Sequence, residues 1–553
     1  MNGGPEFTRL AIEQRSNFAP LRNPDYRMLW TAIMVSNLGG LIQTVGAGWL
    51  MTSLTASQDM IALVQSSNTL PIMALSMIGG VLADNFDRRR IMILAQCFLA
   101  VISFALALTA LAGMLTPWLL LGFTFLLGAG VALNNPAWQA SGGDIVGRSD
   151  LPAAVSLNSM GFNLMRSVGP AIGGLIVASF GAAAAFGVNA LTYLPLIGAL
   201  YRWQPKGLAE RRLPREPLWA ALGAGLRYVA LSPNIMRVVA RAALFGLAAS
   251  SVLALLPIVA KDLLQGTALT YGLLLGGFGM GAIVGVALNP YIRSIFSNET
   301  VVRAAFVVFA IGASGVGMSH NLALTILSLL LTGTAWVLAL SLFNVSVQLS
   351  SPRWVVGRAL SLYQTSVFGG MAVGSWIWGL IADSHGAPTA FLFSAALLCI
   401  GAATGLWLKL SAFDTLDLDP SGQFSEPELR LDLRDRSGPI KILVDYVIDP
   451  QDIDAFLEAM QARRIVRVRD GARRWALLRD LESPEIWTES YQVATWVEYL
   501  RHHERRTKAD ASSYQRIRAL HRGPGEPRVR RMIERQVVPL HDDTPLKPRP
   551  DEV

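Results

Sequence analysis

Long apolar segments, separated by short polar connections, dominate the first 410 residues of the chain. Each is about 20 residues long, the length that a helix needs to cross the hydrocarbon core of a bilayer. Six can be centred near Val35, Ser67, Phe104, Gly128, Ser167 and Ala190, and six more near Ala248, Gly279, Phe309, Ala335, Gly370 and Ala396. The pattern predicts an all-α polytopic membrane protein with twelve transmembrane helices.

The two sets of six segments repeat each other at a fixed offset of about 205 residues, as expected for duplicated membrane units. The matched pairs include Gly169 with Gly374, Gly174 with Gly379, Gly181 with Gly386, Gly80 with Gly285 and Arg88 with Arg293. Two facing copies of one long apolar unit can enclose a central substrate path. Transport is therefore the first functional hypothesis.

Changes in composition predict the domain boundaries. They place a cytoplasmic N-terminus at 1–26, a six-helix bundle at 27–202, a cytoplasmic linker at 203–234, a second six-helix bundle at 235–409, a further linker at 410–437, a cytoplasmic α+β domain at 438–536 and a disordered tail at 537–553.

Composition supports a membrane location. Hydrophobic residues make up 52% of the chain and charged residues only 16%, too apolar for a soluble enzyme of this size. The two cysteines, Cys97 and Cys399, lie in apolar segments, so no disulfide framework is expected.

Basic residues predict the orientation, because positively charged loops stay in the cytoplasm. With the N-terminus inside, nearly all Lys and Arg of the loops fall on the inner side, and Lys261 is the one basic residue in the outer connections. We expect a multi-pass protein of the bacterial inner membrane with both termini cytoplasmic.

The C-terminal region has a pattern of its own, typical of a small α+β fold. It predicts strands at 440–448, 473–481 and 486–496, and helices at 450–463 and 511–521. We interpret it as a ferredoxin-like domain that could pair edge to edge as a homodimer.

The connection at 80–90 combines a glycine, an acid and a basic cluster. Its candidate gating residues are Gly80, Asp84, Arg88 and Arg89. This pattern resembles the signature loop of the major facilitator superfamily, although Asn85 and Asp87 depart from it. The resemblance implies that Asp84 pairs with arginines and biases the inward or outward state; the alternative is a cytoplasmic anchor alone.

The fifth segment contains small residues around a proline. Its candidate residues are Gly161, Asn163, Arg166, Gly169, Pro170, Gly173 and Gly174. The run resembles the motif of exporters in the same superfamily, where a proline would soften the helix; the alternative is ordinary glycine packing.

Arg166 is the sole charged residue well inside a segment. A charge at this depth is costly and suggests a functional role. It could bind an anionic substrate, pair with Asp84 or Asp144, or extend to the inner headgroups. No Asp or Glu lies near the middle of a segment, so Asp84 and Asp144 are the remaining candidates for proton coupling.

Polar and aromatic residues within the segments could line a substrate path. The candidates are Asn37, Gln65, Asn134, Gln139, Asn344, Tyr363, Gln364 and Trp378. For any one of them, hydrogen bonding between helices is the alternative. As a set they favour an amphipathic cargo rather than a small ion.

The C-terminal histidines, His502 and His503, have no neighbours with the spacing of zinc ligands, so no metal or other cofactor is expected. Nucleic-acid binding has no motif in its favour. The lipid bilayer and a small-molecule substrate are the expected partners.

Across residues 18–535 the chain is similar to the transmembrane secretion effector, or enterobactin-exporter-like, branch of the superfamily. The likeness rests on the basic loop ending at Arg90, on Asn163, Arg166 and Gly169–Pro170, and on Gly357–Arg358 before Ser361. It implies a secondary exporter of a siderophore-like metabolite or a drug, working by alternating access, with a proton as a candidate coupling ion. No ATP-binding loop is present in the sequence. The alternatives are uptake by the same fold, or an enzyme or sensor that acts through the C-terminal domain. We do not expect the protein to be an enzyme.

Overall fold

The computed structural model describes residues 19–146, 150–204, 218–352, 354–410, 418, 427–434, 436–505 and 507–534. Contacts divide the chain into two compact units. The first unit comprises Met1–Glu210, Arg237–Asn344 and Ser361–Leu410, and the second comprises Arg211–Met236, Val345–Leu360 and Ser411–Val553. The tail predicted at 537–553 lies outside the described residues.

Long helices build the first unit, and one short helix of the second unit, α7, lies among them in the chain order. In chain order the helices are α1 (Pro24–Leu54), α2 (Gln58–Asn85), α3 (Arg88–Leu111), α4 (Pro117–Ile145), α5 (Leu151–Phe180), α6 (Ala182–Arg202), α7 (Leu218–Ala230), α8 (Pro233–Ile258), α9 (Ala268–Ile295), α10 (Asn298–Met318), α11 (Leu322–Leu349), α12 (Val356–His385) and α13 (Ala387–Thr404). Within the described ranges, eleven of them are long and apolar enough to cross a membrane; α5 and the short α7 are not among these eleven.

The sequence repeat has a counterpart in backbone geometry. Gly181 separates α5 from α6 with φ of 81°, and Gly386, its partner in the repeat, separates α12 from α13 with φ of 85°. Because side chains rarely adopt this left-handed region, glycine allows both sharp connections. The same turn therefore occurs at the same place in both halves.

Small residues let helices of the two halves approach closely. A Cβ atom built on Gly174 of α5 would lie 2.7 Å from the Ala268 carbonyl oxygen of α9. The repeat-related Gly379 of α12 faces α2, where its Cβ would lie 2.7 Å from that of Ala62. Close backbone approach of this kind stabilises helix pairs in membranes, where lipid removes the hydrophobic driving force between helices.

A four-stranded antiparallel sheet forms the centre of the second unit. Its strands are β1 (Ile440–Val447), β2 (Arg473–Arg479), β3 (Ile486–Val493) and β4 (Arg528–Ile533), in the order β2-β3-β1-β4. The helices α14 (Ile453–Arg469), α15 (Trp496–Glu504) and α16 (Lys508–Leu520) complete it. Along β1, Ile440, Ile442, Val444 and Tyr446 alternate into the core.

Three elements of this unit differ from the sequence expectation. Helix α14 continues to Arg469, six residues beyond the predicted end. Trp496 starts α15 instead of ending a strand, because the Thr495 side chain accepts a hydrogen bond from the Glu498 amide and caps the helix. Strand β4 was not predicted, since three of its six residues are arginines.

Helix α7 belongs to the second unit. Its Tyr228 ring meets the Trp354 ring edge-on, with the centroids 5.4 Å apart. The Arg469 guanidinium lies 4.9 Å from the Tyr228 centroid, and that of Arg505 lies 4.3 Å from the Trp354 centroid. These cation–π contacts attach the sheet domain to α7 and to the connection between α11 and α12.

Because α5 packs closely against α9, we predict that an added methyl group at their contact destabilises the protein. Gly279→Ala should collide with the Arg166 carbonyl oxygen and with the Ser167 Cα atom, 2.6 Å from the new Cβ. Overpacking of this kind costs about 1–3 kcal/mol. We expect a lower midpoint of thermal unfolding for the purified chain in detergent.

Gly187→Ala in α6 is the matched control, because nothing lies within 4 Å of a Cβ at that position. It should keep the midpoint of the parent chain. Equal midpoints for the two variants would contradict the close approach of α5 and α9.

Candidate transport cavity

A cavity of about 550 Å³ lies within the first unit. All the helices of the first half, α1 to α6, contribute to its wall, whereas the second half contributes Phe368 of α12. Its polar wall is formed by Ser36, Asn37, Gln43, Thr44, Gln65, Asn68, Gln96, Thr124, Asn134, Asn135, Gln139, Asn158, Ser159, Asn163, Asn189 and Tyr193.

Four of the residues proposed from sequence meet in this cavity, namely Asn37, Gln65, Asn134 and Gln139. The other four, Asn344, Tyr363, Gln364 and Trp378, are not among its lining residues. Two of these bond to helix backbone: the Tyr363 hydroxyl donates to the Leu340 carbonyl at 3.1 Å, and Trp378 Nε1 donates to that of Leu247 at 2.7 Å. Tyr363 and Trp378 thus form hydrogen bonds between helices, the alternative to ligand contact given in the sequence analysis.

Sequence reasoning missed a polar network beside the cavity. Gln43 Oε1 accepts a hydrogen bond from Ser103 Oγ at 2.7 Å and another from Asn189 Nδ2. Asn189 Nδ2 also lies 3.1 Å from the Tyr193 hydroxyl. These bonds join α1, α3 and α6. The isolated Asn189 within an apolar segment was the available signal, because an amide at this depth needs a partner.

The corresponding region of the second half is filled by aromatic rings. Phe245 lies 4.9 Å from Phe306, 5.5 Å from Phe309 and 5.8 Å from Trp336, measured between ring centroids. All three phenylalanines are fully buried. The repeated halves therefore differ: the first half surrounds a polar cavity, and the second has an aromatic core.

Arg166 lies apart from the cavity wall. Its guanidinium carbon is 5.2 Å from the Phe278 ring centroid and 5.9 Å from that of Trp336. This geometry joins α5 to the aromatic core of the second half through cation–π contacts. The proposed partners Asp84 and Asp144 lie in α2 and α4, but their side chains are outside the described part of the structure.

The exporter-motif residues of α5 contact helices on two sides. Gly161 faces Met34 of α1, and Gly169 faces Leu41, also of α1. Gly173 faces the Ile42 backbone, Gly174 packs on α9, and the Pro170 carbonyl oxygen faces Gly272 of α9. Asn163 lines the cavity and donates to the Ser159 carbonyl oxygen at 2.9 Å. The motif thus lies where the cavity wall and the contact between the halves meet.

The basic loop between α2 and α3 ties helix ends together. Asp87 caps α3 by accepting a hydrogen bond from the Arg89 amide at 2.9 Å. Arg88 donates to the Ala140 carbonyl of α4 at 2.8 Å, and Arg89 donates to the Leu200 carbonyl of α6 at 2.8 Å. Leu200 is among the last four residues of α6, whose carbonyls lack a partner further along the helix, so Arg89 satisfies one of them.

The C-terminal part of α2 approaches α4 closely at Gly79. A Cβ on Gly79 would lie 2.8 Å from the Ala132 carbonyl oxygen of α4, whereas one on the gating candidate Gly80 would lie 3.4 Å from Ser361 Oγ, an ordinary contact distance. Gly79 rather than Gly80 therefore makes the tight helix contact.

The C-terminal histidines are buried structural groups. His502 Nε2 lies 3.0 Å from an Arg467 nitrogen, and His503 Nδ1 lies 2.9 Å from the Tyr499 carbonyl oxygen. Among the described residues there is no group of three His, Cys, Asp or Glu side chains placed to hold a metal ion.

Glu489 is the centre of a charged network in the same unit. Arg463 Nε and Arg467 Nε lie 2.9 Å and 3.0 Å from its carboxylate oxygens, and Trp475 Nε1 donates to it at 3.1 Å. Burial alone would raise the pKa of Glu489, but the two guanidinium groups outweigh burial and hold its pKa well below the usual range.

Long apolar helices around a polar cavity are typical of a membrane transporter, and the sequence comparisons place the chain in the major facilitator superfamily. The chain belongs to its transmembrane secretion effector family, whose family model matches residues 15–537. It is a transporter and not an enzyme.

Relatives with assigned functions share part of the sequence. The chain is 22% identical to a staphyloferrin A transporter of Staphylococcus aureus, over 66% of this chain and 91% of the relative. It is 24% identical to the multidrug efflux pump Tap of Mycolicibacterium fortuitum, over 71% of this chain and 98% of that protein. It is 28% identical to the enterobactin exporter EntS of Escherichia coli, over 55% of this chain and 72% of that protein.

Solved structures share the fold. A mutant of the nucleoside transporter NupG matches with a TM-score of 0.58 at 13% identity, covering 70% of this chain and 99% of that one. A bacterial homologue of the lysosomal transporter Spinster matches with a TM-score of 0.56 at 14% identity, covering 70% of this chain and 97% of that one.

We predict that the charged network around Glu489 is needed for the stability of the second unit. Glu489→Gln removes the charge that balances Arg463 and Arg467, and breaking such a buried pair typically costs about 3–5 kcal/mol. Hydrogen exchange of the full chain at pH 7, followed by mass spectrometry, should show faster exchange in β3 and α14.

The control is Glu458→Gln, which removes an exposed pair between the carboxylate and Arg516. Exchange should then change little, because exposed pairs contribute little to stability. The stabilisation from Glu489 should be present above its ordinary pKa of 4.5 and decline as the pH falls below it. Exchange in Glu489→Gln equal to that of the parent chain would contradict this account.

Proposed function

We propose that the chain is a secondary exporter of an amphipathic small molecule, a siderophore-like metabolite or a drug, in a bacterial inner membrane. The observation that carries the proposal is the cavity in the first half, whose amide groups and aromatic rings suit a molecule with both polar and apolar faces. The names of the relatives, which include exporters and an efflux pump, support the direction.

In this proposal the halves work by alternating access, and α5 is the twelfth span. Helix α5 is 30 residues long and packs between α1 and α9, which supports a membrane-spanning position despite its lower hydropathy. The basic residues of the predicted inner loops support cytoplasmic termini.

The coupling ion is proposed to be a proton, with Asp84 and Asp144 as carriers. Gly80, Asp84, Arg88 and Arg89 are proposed to gate transport at the same end of the bundle. The bonds of Arg88 and Arg89 to α4 and α6 support this role, because a change of state must then move these helix ends together.

The C-terminal domain is proposed to be ferredoxin-like and to act as a dimerisation or sensing module. The order strand, helix, strand, strand, helices, strand, with β1 between β3 and β4, supports this fold. Strand β2 lies at one edge of the sheet and β4 at the other, so both have an edge that could pair with a second copy.

Accumulation of fluorescent amphipaths and catecholate siderophores tests the exporter in cells. We expect cells making the chain to accumulate less of at least one compound than cells with an empty vector, and a protonophore to abolish the difference. Higher accumulation than in empty cells would favour uptake, and no difference for any compound would contradict transport of this cargo class.

Arg166→Ala should bring accumulation back towards that of empty cells, because it removes the cation–π contacts between α5 and the second half. Arg166→Lys should keep part of the activity, since the charge remains over the rings. Arg90→Ala is the control, as the Arg90 side chain is 84% exposed and its pairing with Asp87 is weak. Full activity of Arg166→Ala would refute a role for this charge in transport.

A further inference from the structure

The residues known to line the cavity are polar or apolar, without a formal charge on any of those that the structure describes. Among the described residues that line it there is no Asp, Glu, Lys, Arg or His, whereas eleven are Asn or Gln. Each amide offers both a hydrogen-bond donor and an acceptor. The described lining residues can therefore satisfy several hydroxyl or amide groups of a ligand, and none of them offers a counter-ion to a charged one.

The free energy needed to bury an unpaired charge distinguishes charged from uncharged ligands. Removing an ion from water into a protein costs several kcal/mol even after the surroundings relax, unless an opposite charge accompanies it. The aromatic faces of Trp138, Phe162 and Phe368 could attract a cation, but such contacts are worth only about 0.5–2 kcal/mol. The described lining residues therefore favour a neutral ligand over a cation or an anion, whose desolvation cost they do not offset.

One acceptor in the wall lacks a partner. The Gln96 side chain of α3 is 2% exposed, and within the described part of the chain its Oε1 atom accepts no hydrogen bond. Its neighbours in the wall differ: Gln43 and Asn189 bond to each other, and Thr124 donates to the Leu120 carbonyl at 2.8 Å. A buried carbonyl oxygen without a donor is destabilising, so this position favours a ligand that brings an O–H or N–H group.

We propose that the cavity selects an uncharged cargo that joins an aromatic or apolar ring to several hydroxyl or amide groups, and that one of these groups donates a hydrogen bond to Gln96 Oε1. The ring packs against Trp138, Phe162 and Phe368, and the polar groups face the amides of the first half. This inference rests on the proposed function, in that it takes the cavity as the transport site, and it narrows the cargo from amphipathic to uncharged.

Three 2-naphthyl glycosides that differ at one position test the selection by charge. They are the β-glucoside, which is neutral, the β-glucuronide, which is anionic, and the 6-amino-6-deoxy-β-glucoside, which is cationic. Binding to the purified full chain in lipid nanodiscs is measured by isothermal titration calorimetry. We expect the neutral glucoside to bind about tenfold or more tightly than either charged one, a difference of about 1.4 kcal/mol.

Two substitutions of Gln96 test the contact itself. Gln96→Leu should weaken binding of the neutral glucoside, because the acceptor is lost. Gln96→Glu keeps the shape and adds a negative charge, so it should shift the preference towards the cationic glycoside. Cys97→Ala is the control: Cys97 is the next residue of α3 and is not among the lining residues, so all three affinities should stay unchanged.

The results separate this inference from the proposed function. Equal or tighter binding of a charged glycoside to the parent chain, no binding of the neutral one, or unchanged preferences in both Gln96 variants would overturn selection of uncharged cargo. If the neutral glucoside binds as expected but cells making the chain accumulate it like empty cells, the binding inference stands and export of this cargo fails. Export of charged probes without binding of the neutral glucoside would refute this inference and leave the exporter intact.

Discussion

Close backbone contact between helices of the two halves is the constraint on which the membrane unit depends. Lipid tails are as apolar as the side chains, so helices in a bilayer gain little from burying apolar surface and depend on packing at short range. Gly174 and Gly272 bring α5 and α9 together, and Gly379 brings α12 against α2. The repeat supplies Gly174 and Gly379 as a pair, and a duplicated sequence thereby makes two corresponding close helix contacts in the same unit.

Away from these close helix contacts, the two halves differ in the side chains that fill them. In the first half, amides meet around a cavity, and a network of Gln43, Ser103 and Asn189 holds α1, α3 and α6 together without charge. In the second half, Phe245 and its neighbours fill the space with rings. Arg166 lies on these rings, so the buried charge of α5 contacts the aromatic core of the other half and not the cavity. One half encloses a polar cavity, and the other has a dense aromatic core.

The second unit buries charged side chains inside a small domain. Glu489 is fully buried, and the two arginines beside it, with Trp475, satisfy its oxygens. A buried pair of this kind adds little stability relative to an apolar core, but loss of either member leaves an unpaired charge inside. The network therefore makes the arrangement of α14, β2 and β3 specific. It also gives a structural role to two of the arginines of this region, Arg463 and Arg467.

The sequence by itself determined the membrane class, the family, the two halves and most elements of the C-terminal unit, because apolar segment length, a repeated glycine pattern and strand periodicity are local properties of the chain. It could not decide which polar residues meet. Asn37 and Gln65 line the cavity while Tyr363 and Trp378 bond to neighbouring backbone, although all four lie in similar apolar segments. Only the tertiary structure decided this, since the rotation of each helix about its axis is set by contacts with its neighbours. Strand β4 was likewise decided by pairing with β1, because its three arginines leave no clear alternation of apolar and polar residues to mark a strand.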